Sequence, residues 1–319
     1  MTESKGEPNP IARRFRRPKQ QAGVPDRTSL VGHSWFTPYL LSGPSIVMVS
    51  LLLAFPVLYA IWGSLFDTEF LGGTQEFVGL KHYVDLFQDP DFLLAILRSL
   101  IFVSGCLILG TSLALVFAFA LNKAAGFLRF VRGVTIVPYL VSGVATAVMF
   151  RLLFNKEFGQ VNRTFEFFGI EGPSWFSDPI LAMLATIIAQ VWSDLPLAVL
   201  LLLGGLQTID PSLLDAAEVD GATGWNRAWY VSIPLIAPQL VLSTVWFSYS
   251  TLTSLGVVLA LTGGGPVDAT RTLPIVLYDT AFRDLRTHEA LAIAVIILAF
   301  NALLTLIYVR ISRRYDLGN

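Results

Sequence analysis

Residues 179–208 read PILAMLATIIAQVWSDLPLAVLLLLGGLQT, and Asp194 is the single charged residue in that stretch. About 20 predominantly apolar residues suffice for a helix to cross the hydrocarbon core of a bilayer. The run is continuous rather than alternating, so it reads as a membrane helix and not as a barrel strand. The pattern recurs along the chain. No Asp, Glu, Lys or Arg occurs from Thr28 to Phe66, Ser99 to Asn122, Gly133 to Phe150 or Ala290 to Val309. Nothing charged separates Arg227 from Asp268, a gap that opens with a proline-bounded surface segment. These gaps predict an all-α integral membrane protein with six transmembrane helices, near 36–65, 95–122, 131–154, 179–206, 236–262 and 289–311.

The composition agrees. Of the 319 residues, 54% are apolar and 14% charged, whereas a soluble domain carries about 25% charge. This excludes a disordered chain or an ordinary cytosolic enzyme. A net charge of −1 gives no reason to expect a nucleic-acid partner. The lone Cys106 lies in an apolar run and reads as a small core residue. His33, His82 and His288 show no metal-ligand spacing, so no metal site is expected.

Basic residues set the orientation. Fourteen of them fall in the tail before the first span, the 122–132 loop, the 207–235 segment and the C-terminal tail; six fall in the other three loops. Both termini are therefore expected in the cytoplasm. The first apolar stretch exceeds the 7–15 residues of a signal-peptide core and reads as an uncleaved helix. Residues 1–33 form a basic tail expected to be disordered near anionic lipid headgroups, and 34–319 the membrane domain.

The stretch 207–235 is the odd one. Asp210 before Pro211 is a helix start, an N-cap oxygen followed by a residue that needs no N–H. Leu213, Leu214 and Ala217 recur at helical spacing, and Gly221 and Gly224 end or bend the helix. Ala216, Ala217, Gly221 and Ala222 leave room for another backbone to approach. Asp210, Asp215, Glu218 and Asp220 against one arginine oppose the positive-inside trend, which favours a basic protein groove over lipid. The alternative on pattern alone is an interfacial helix that only joins two spans.

Inside the membrane, Asp194 sits about 22 Å from Pro179 at 1.5 Å per residue. An unpaired carboxylate at that depth is costly, so it reads as functional or paired. Gln190, Ser193, Asp194 and Leu197 fall on one helical face, and Ser250, Thr251 and Ser254 share another. The hydroxyls either bond their own helix backbones or line a hydrated cavity.

Asp215-Ala-Ala-Glu-Val-Asp-Gly221 followed by Ile233-Pro234 resembles the EAA loop of ATP-binding-cassette (ABC) importer permeases. Phe77-Val-Gly-Leu80 with Tyr83, Trp192 with Pro196, and Leu261-Thr-Gly-Gly-Gly-Pro266 with Thr270 and Thr272 resemble the carbohydrate branch of that family, the maltose- and glycerol-3-phosphate-type permeases. The likeness runs over about residues 77–310 in order. Asp215 replaces the usual Glu, no residue separates Ile233 from Pro234, Arg98-Ser99 stands where Asn-Thr is usual, and His288 where Gly is usual.

The resemblance implies the type I ABC importer permease fold in the inner or plasma membrane. It implies a second homologous permease, a cytoplasmic ATPase dimer, an extracytoplasmic solute-binding protein and a sugar substrate. Leu213, Leu214, Asp215, Ala216, Ala217, Asp220, Gly221 and Ala222 would contact the ATPase. Substrate stations would be Gln190, Ser193, Asp194, Leu197, Phe247, Ser250, Thr251 and Ser254, with Trp192 and Tyr249 as sugar-stacking faces. No Gly is followed by Lys anywhere, so the chain lacks a Walker A loop. It is not expected to be an enzyme: ATP and Mg would belong to the partner. The rival reading is an ion-coupled secondary transporter using Asp194, a class that usually shows an inverted repeat. A membrane hydrolase would need a nucleophile and base at depth, and no His or Lys accompanies Asp194 there.

Overall fold

The computed structural model describes residues 37–68, 75–122, 130 and 133–316. The chain divides into two compact units at Ala54 and Phe55, part-way along the first helix, α1 (Thr37–Gly63). Of the first unit, Met1–Ala54, the described part is the leading portion of α1. The expected disordered tail, 1–33, lies outside the described residues.

The second unit, Phe55–Asn319, holds the other elements. After α1 comes a small antiparallel hairpin, β1 (Phe66–Thr68) with β2 (Gln75–Phe77), in register Phe66 to Phe77. Then follow α2 (Lys81–Gln88), α3 (Pro90–Asn122), a 3₁₀ turn (Val137–Leu140), α4 (Gly143–Leu153), α5 (Gln160–Phe167) and α6 (Pro179–Gln207). Beyond them lie α7 (Pro211–Val219), α8 (Gly224–Arg227), a π turn (Ala228–Ser232), α9 (Ile233–Leu235), α10 (Ala237–Leu252), α11 (Gly256–Leu261) and α12 (Leu273–Tyr278). A second π turn (Asp279–Arg283) leads to α13 (Thr287–Asp316). The hairpin was not expected from the apolar runs; it lies outside them, between the first two.

Among the described residues, four helices are long and apolar enough to cross a membrane: Ser42–Gly63 within α1, α3, α6 and Thr287–Ile311 within α13. A fifth is reached if Gly224–Leu235 and Ala237–Leu252, bent by 78° at Ile236, count as one broken span. Two expected helices are interrupted. The one expected over 131–154 is a 3₁₀ turn and the 11-residue α4, separated at Val141 and Ser142. Eleven residues reach only about 16 Å. Ser142 caps α4, its Oγ accepting from the Ala145 N–H at 3.3 Å. The helix expected over 236–262 stops at Leu252 and resumes at Gly256. Neither break involves a charged side chain, so charge gaps pass over both.

The expected fourth span is continuous. Asp178 caps α6 by accepting from the Ile180 and Leu181 N–H groups at 2.9 Å each, with Pro179 in the first turn. α6 packs along α3, and α10 packs against both and against α13. In a bilayer, burial against lipid-like neighbours supplies little drive, so close approach of backbones does the work. The small residues sit at this seam. Ala114, Ala118 and Ala198 are fully buried. A Cβ on Gly110 would stand 2.5 Å from the Phe247 ring, and one on Gly105 2.5 Å from Ile187 Cδ1. Cys106 is fully buried in the neighbouring cluster with Phe102, Ile187 and Val258, as a core residue.

Candidate functional site

Two places carry polar groups that packing alone does not require. The first is midway along α6. Gln190 and Asp194, at 4% and 5% exposure, face α10. The Gln190 amide donates to Asp194 Oδ2 at 2.7 Å and to Ser250 Oγ at 3.3 Å. Ser254 Oγ donates to Gln190 Oε1 at 2.6 Å. Ser250 thus joins the network through Gln190. Asp194 is thus paired through its own helix and the next, and no salt bridge reaches it among the described residues. Pro196 has no N–H, which frees the Trp192 carbonyl one turn earlier from its helical bond.

The other sequence-predicted stations divide. Ser193 and Leu197 are half-buried beside the network, and Tyr249 is exposed at its border. Trp192 turns away: its ring meets Phe150 of α4 edge-on at 5.6 Å. Phe247 is fully buried against Gly110, filling the α3–α10 seam rather than an open face. Thr251 bonds its own helix, donating to the Phe247 carbonyl at 2.6 Å. In this conformation Phe247 and Thr251 are buried and Trp192 is half-buried. Sequence reasoning missed Trp246 and Tyr139. Trp246 lies one turn before Ser250, its ring tilted against Tyr249 at 6.4 Å and edge-on to Tyr139 at 5.9 Å. Its buried indole N–H has no partner among the described residues. The four-residue spacing from Trp246 to Ser250 was the available signal.

The second place is 207–235. Asp210 Oδ1 accepts from the Ser212 N–H at 2.9 Å, so the start read from Asp210-Pro211 is a true N-cap. That bond holds the exposed Asp210 carboxyl below the usual carboxylate range. The end of α7 is a Schellman turn. The Ala222 N–H bonds the Ala217 carbonyl at 2.8 Å and the Gly221 N–H bonds that of Glu218 at 3.1 Å. Gly221 occupies φ +84°, and a Cβ added there would meet nothing within 4 Å, so backbone angle, not space within the chain, selects glycine. Asp215, Ala216, Asp220 and Gly221 are exposed; Leu214, Ala217 and Ala222 are half-buried. Leu213, read as sharing the face of Leu214, is itself exposed. Glu218 reaches Arg227 at 3.0 Å, and Trp225 stacks on Trp229.

The loop 262–272 is a bonded turn. Thr262 and Thr270 hydroxyls meet at 2.7 Å, and Thr270 Oγ1 donates to the Gly265 carbonyl at 2.9 Å. Gly263 and Gly264 stand at positive φ, as a turn demands. Two of the unusual residues hold this end together: Ser99 Oγ accepts from the Leu273 N–H at 2.8 Å, and His288 Nδ1 bonds the Gly63 carbonyl at 2.8 Å. No three His, Cys, Asp or Glu residues gather as a metal site among the described residues.

Residues 34–317 match the family described as "Binding-protein-dependent transport system inner membrane component". The chain is 30% identical over 282 residues to the sulfoquinovosyl glycerol transport system permease protein SmoG of Agrobacterium fabrum, covering 87% of this chain and 90% of that protein. It is 31% identical over 299 residues to the sn-glycerol-3-phosphate transport system permease protein UgpA of the same organism, covering 91% and 99%. Its fold is similar to a chain of a bacterial alginate ABC transporter solved with an alginate-bound periplasmic protein: TM-score 0.74, 21% identity, covering 88% of this chain and 94% of that one.

Proposed function

This chain belongs to the family of binding-protein-dependent transport system inner membrane components, and on that premise we propose that it is the membrane subunit through which an ABC importer passes a sugar or sugar derivative into the cytoplasm. One observation carries the reading furthest. The helix Pro211–Val219 is exposed, capped at both ends by its own bonds and followed by glycine at φ +84°, in a chain matched to transport permeases over residues 34–317. A self-capped, small-faced helix suits docking in a groove of a separate ATPase dimer, which would hold ATP and Mg. The relatives' names support a glycosyl or polyol substrate.

In this reading six spans cross the membrane. The third is broken around Val141 and Ser142, the fifth is broken at Thr253–Leu255, and both termini face the cytoplasm. A second permease completes the passage, and a solute-binding protein meets the 155–178 and 262–272 loops. The Gln190–Asp194–Ser250–Ser254 network offers acceptors and donors to solute hydroxyls, with Tyr249 and Trp246 as ring faces. ATPase closure and solute occupancy bias one conformational equilibrium.

Topology tests it. A reporter active only outside the cytoplasm should work when fused after residue 75, 165 or 275 and fail after 127, 220 or 315. Activity at 220 would put α7 on the wrong side for an ATPase. The isolated chain should neither bind nor hydrolyse ATP.

A further inference from the structure

A groove of about 440 Å³ lies between the two arms that meet at Ile236 and the end of α13. Its walls include Trp229, Ile233 and Pro234 from one arm, Leu240 from the other, and Tyr308 and Ile311 from α13. The two hydroxyls that line it are already bonded within the chain. Thr244 Oγ1 donates to the Leu240 carbonyl at 2.8 Å, and the Tyr308 hydroxyl meets Ser248 Oγ at 2.9 Å. The groove thus offers a guest apolar surface and little to hydrogen-bond. A water molecule needs two to four polar partners to settle in such a space, so the fitting occupant is apolar.

Size and surroundings say which apolar occupant. An α-helix with its side chains is about 10–12 Å wide, so this volume would take only about one turn of it; a single hydrocarbon chain is thin enough to lie along it. Ile311 ends the apolar stretch of α13, Thr287–Ile311, so the groove lies where that helix leaves the bilayer. Trp229 is half exposed at the groove, and the exposed Trp225 stacks on it at 5.9 Å. Such aromatic pairs belong at headgroup depth. Arg310, Arg313 and Arg314 fall in the last two turns of α13, where Asp316 is the one acid after Glu289. Arg310 makes no salt bridge among the described residues.

We propose that this groove is a lipid site: one acyl chain of an anionic phospholipid lies in it, and the headgroup meets the arginines at the end of α13. In the orientation proposed above the lipid comes from the cytoplasmic leaflet, and the inference rests on that reading for the leaflet alone. The apolar walls select a hydrocarbon chain. The net positive end of α13 favours an anionic over a zwitterionic headgroup by roughly 5- to 30-fold, the effect of one or two basic residues at a membrane surface. The chain touches both arms of the bend, so the lipid bears on the connection between the 207–235 segment and α10.

The purified transporter complex is reconstituted into phosphatidylcholine vesicles carrying a trace of phosphatidylglycerol or phosphatidylcholine with a diazirine on one acyl chain. After irradiation the labelled peptides of this chain are mapped. Relative to its other peptides, residues 229–244 and 304–311 should take up roughly 5- to 30-fold more of the phosphatidylglycerol probe than of the phosphatidylcholine probe. Ala237→Phe, which fills the groove, should remove that excess. Joint replacement Arg310→Gln, Arg313→Gln and Arg314→Gln should bring the two probes level. Equal labelling by both probes in the starting protein, or an excess that survives Ala237→Phe, would overturn the proposal. So would a photoreactive benzophenone side chain at Val241 that captures a polypeptide instead of phosphatidylglycerol. Thermal melting confirms that each variant is folded. If Ala237→Phe is not, displacement of the label by unlabelled phosphatidylglycerol carries the test, and displacement no better than by phosphatidylcholine overturns the site. Reporter fusions after 220 and 315 read the orientation separately. A labelled groove with an active reporter at 220 sinks the leaflet assignment together with the orientation; an unlabelled groove with both reporters inactive sinks the lipid site alone.

Discussion

The α6–α10 contact and the 207–235 segment both carry acidic residues, yet they are held in opposite ways. In the first, the bonds that fix Gln190 join residues 60 and 64 positions apart. In the second, the Asp210 cap closes over two residues and the Glu218–Arg227 pair over nine. One region exists only when distant helices meet; the other is assembled by its immediate neighbours. A locally assembled element can change its partner while keeping its shape, which suits coupling. A network built across helices registers their relative position, which suits a site that must differ between two conformations.

Substitutions can break this contrast. The largest effect is expected at Gly221. Gly221→Asp forces a side chain into φ +84° and adds charge where the partner would close. ATP-driven uptake should fall by about 100-fold or more, at the upper end of a coupling free energy, with membrane levels of the subunit unchanged. Normal uptake would remove α7 from the coupling path. Next comes Asp194→Asn, which keeps size and one acceptor but loses the charge. Solute affinity at the membrane site should fall by roughly 10- to 150-fold, the worth of a hydrogen bond to a charged group. A collapse in thermal stability instead would mark Asp194 as a structural partner, and uptake abolished by an uncoupler at clamped ATP would favour the ion-coupled rival.

Smaller still is Ser99→Ala. It strands the buried Leu273 N–H, and such an orphan costs about 1–3 kcal/mol. The melting temperature of the complex should drop, and Ser99→Thr should restore it. A smaller effect again concerns Asp210. Its carboxyl sits below the ordinary range because the Ser212 N–H donates to it. A folded-state value below the unfolded one stabilises at neutral pH and loses that contribution as pH falls through the folded value. Hydrogen exchange at residues 212–214 should therefore quicken as pH drops from 7 towards about 3, beyond the intrinsic pH trend, and Asp210→Asn should flatten that dependence. Asp215→Glu, which restores the usual family residue, should leave uptake intact.

The same contrast explains what could be read in advance. Asp210-Pro211 and Gly221 announce a helix and its end because caps are made by residues within a turn of each other. α6 was legible from its missing charges. The breaks at Val141–Ser142 and Thr253–Leu255 were not, because hydropathy averages over a window and an uncharged interruption leaves no mark. Ser142 before Gly143 was a cap signal buried in an apolar run. Gln190–Asp194 and Ser250–Ser254 were drawn as separate faces, and only tertiary packing decides that they meet. Phe247 shows the converse: the resemblance implied a ligand contact, and its burial against Gly110, on a helix more than a hundred residues away, could not be read from the sequence around it.

One feature of α10 has a mechanical meaning. Gly224–Leu235 meets Ala237–Leu252 at 78°, close to a right angle, with the corner at Ile236. Ile236 is fully buried in the cluster with Leu202 and Phe247, as a pivot should be. At 1.5 Å per residue the arm back to Gly224 is about 18 Å long and the arm forward to Ser250 about 21 Å. Turned as one rigid piece, such an elbow would act as a bell crank. A push across the short arm would emerge turned through nearly a quarter circle and slightly enlarged at Ser250. A shift of about 2 Å at the Gly224 end would already exceed the slack of the 3.3 Å bond between Gln190 and Ser250.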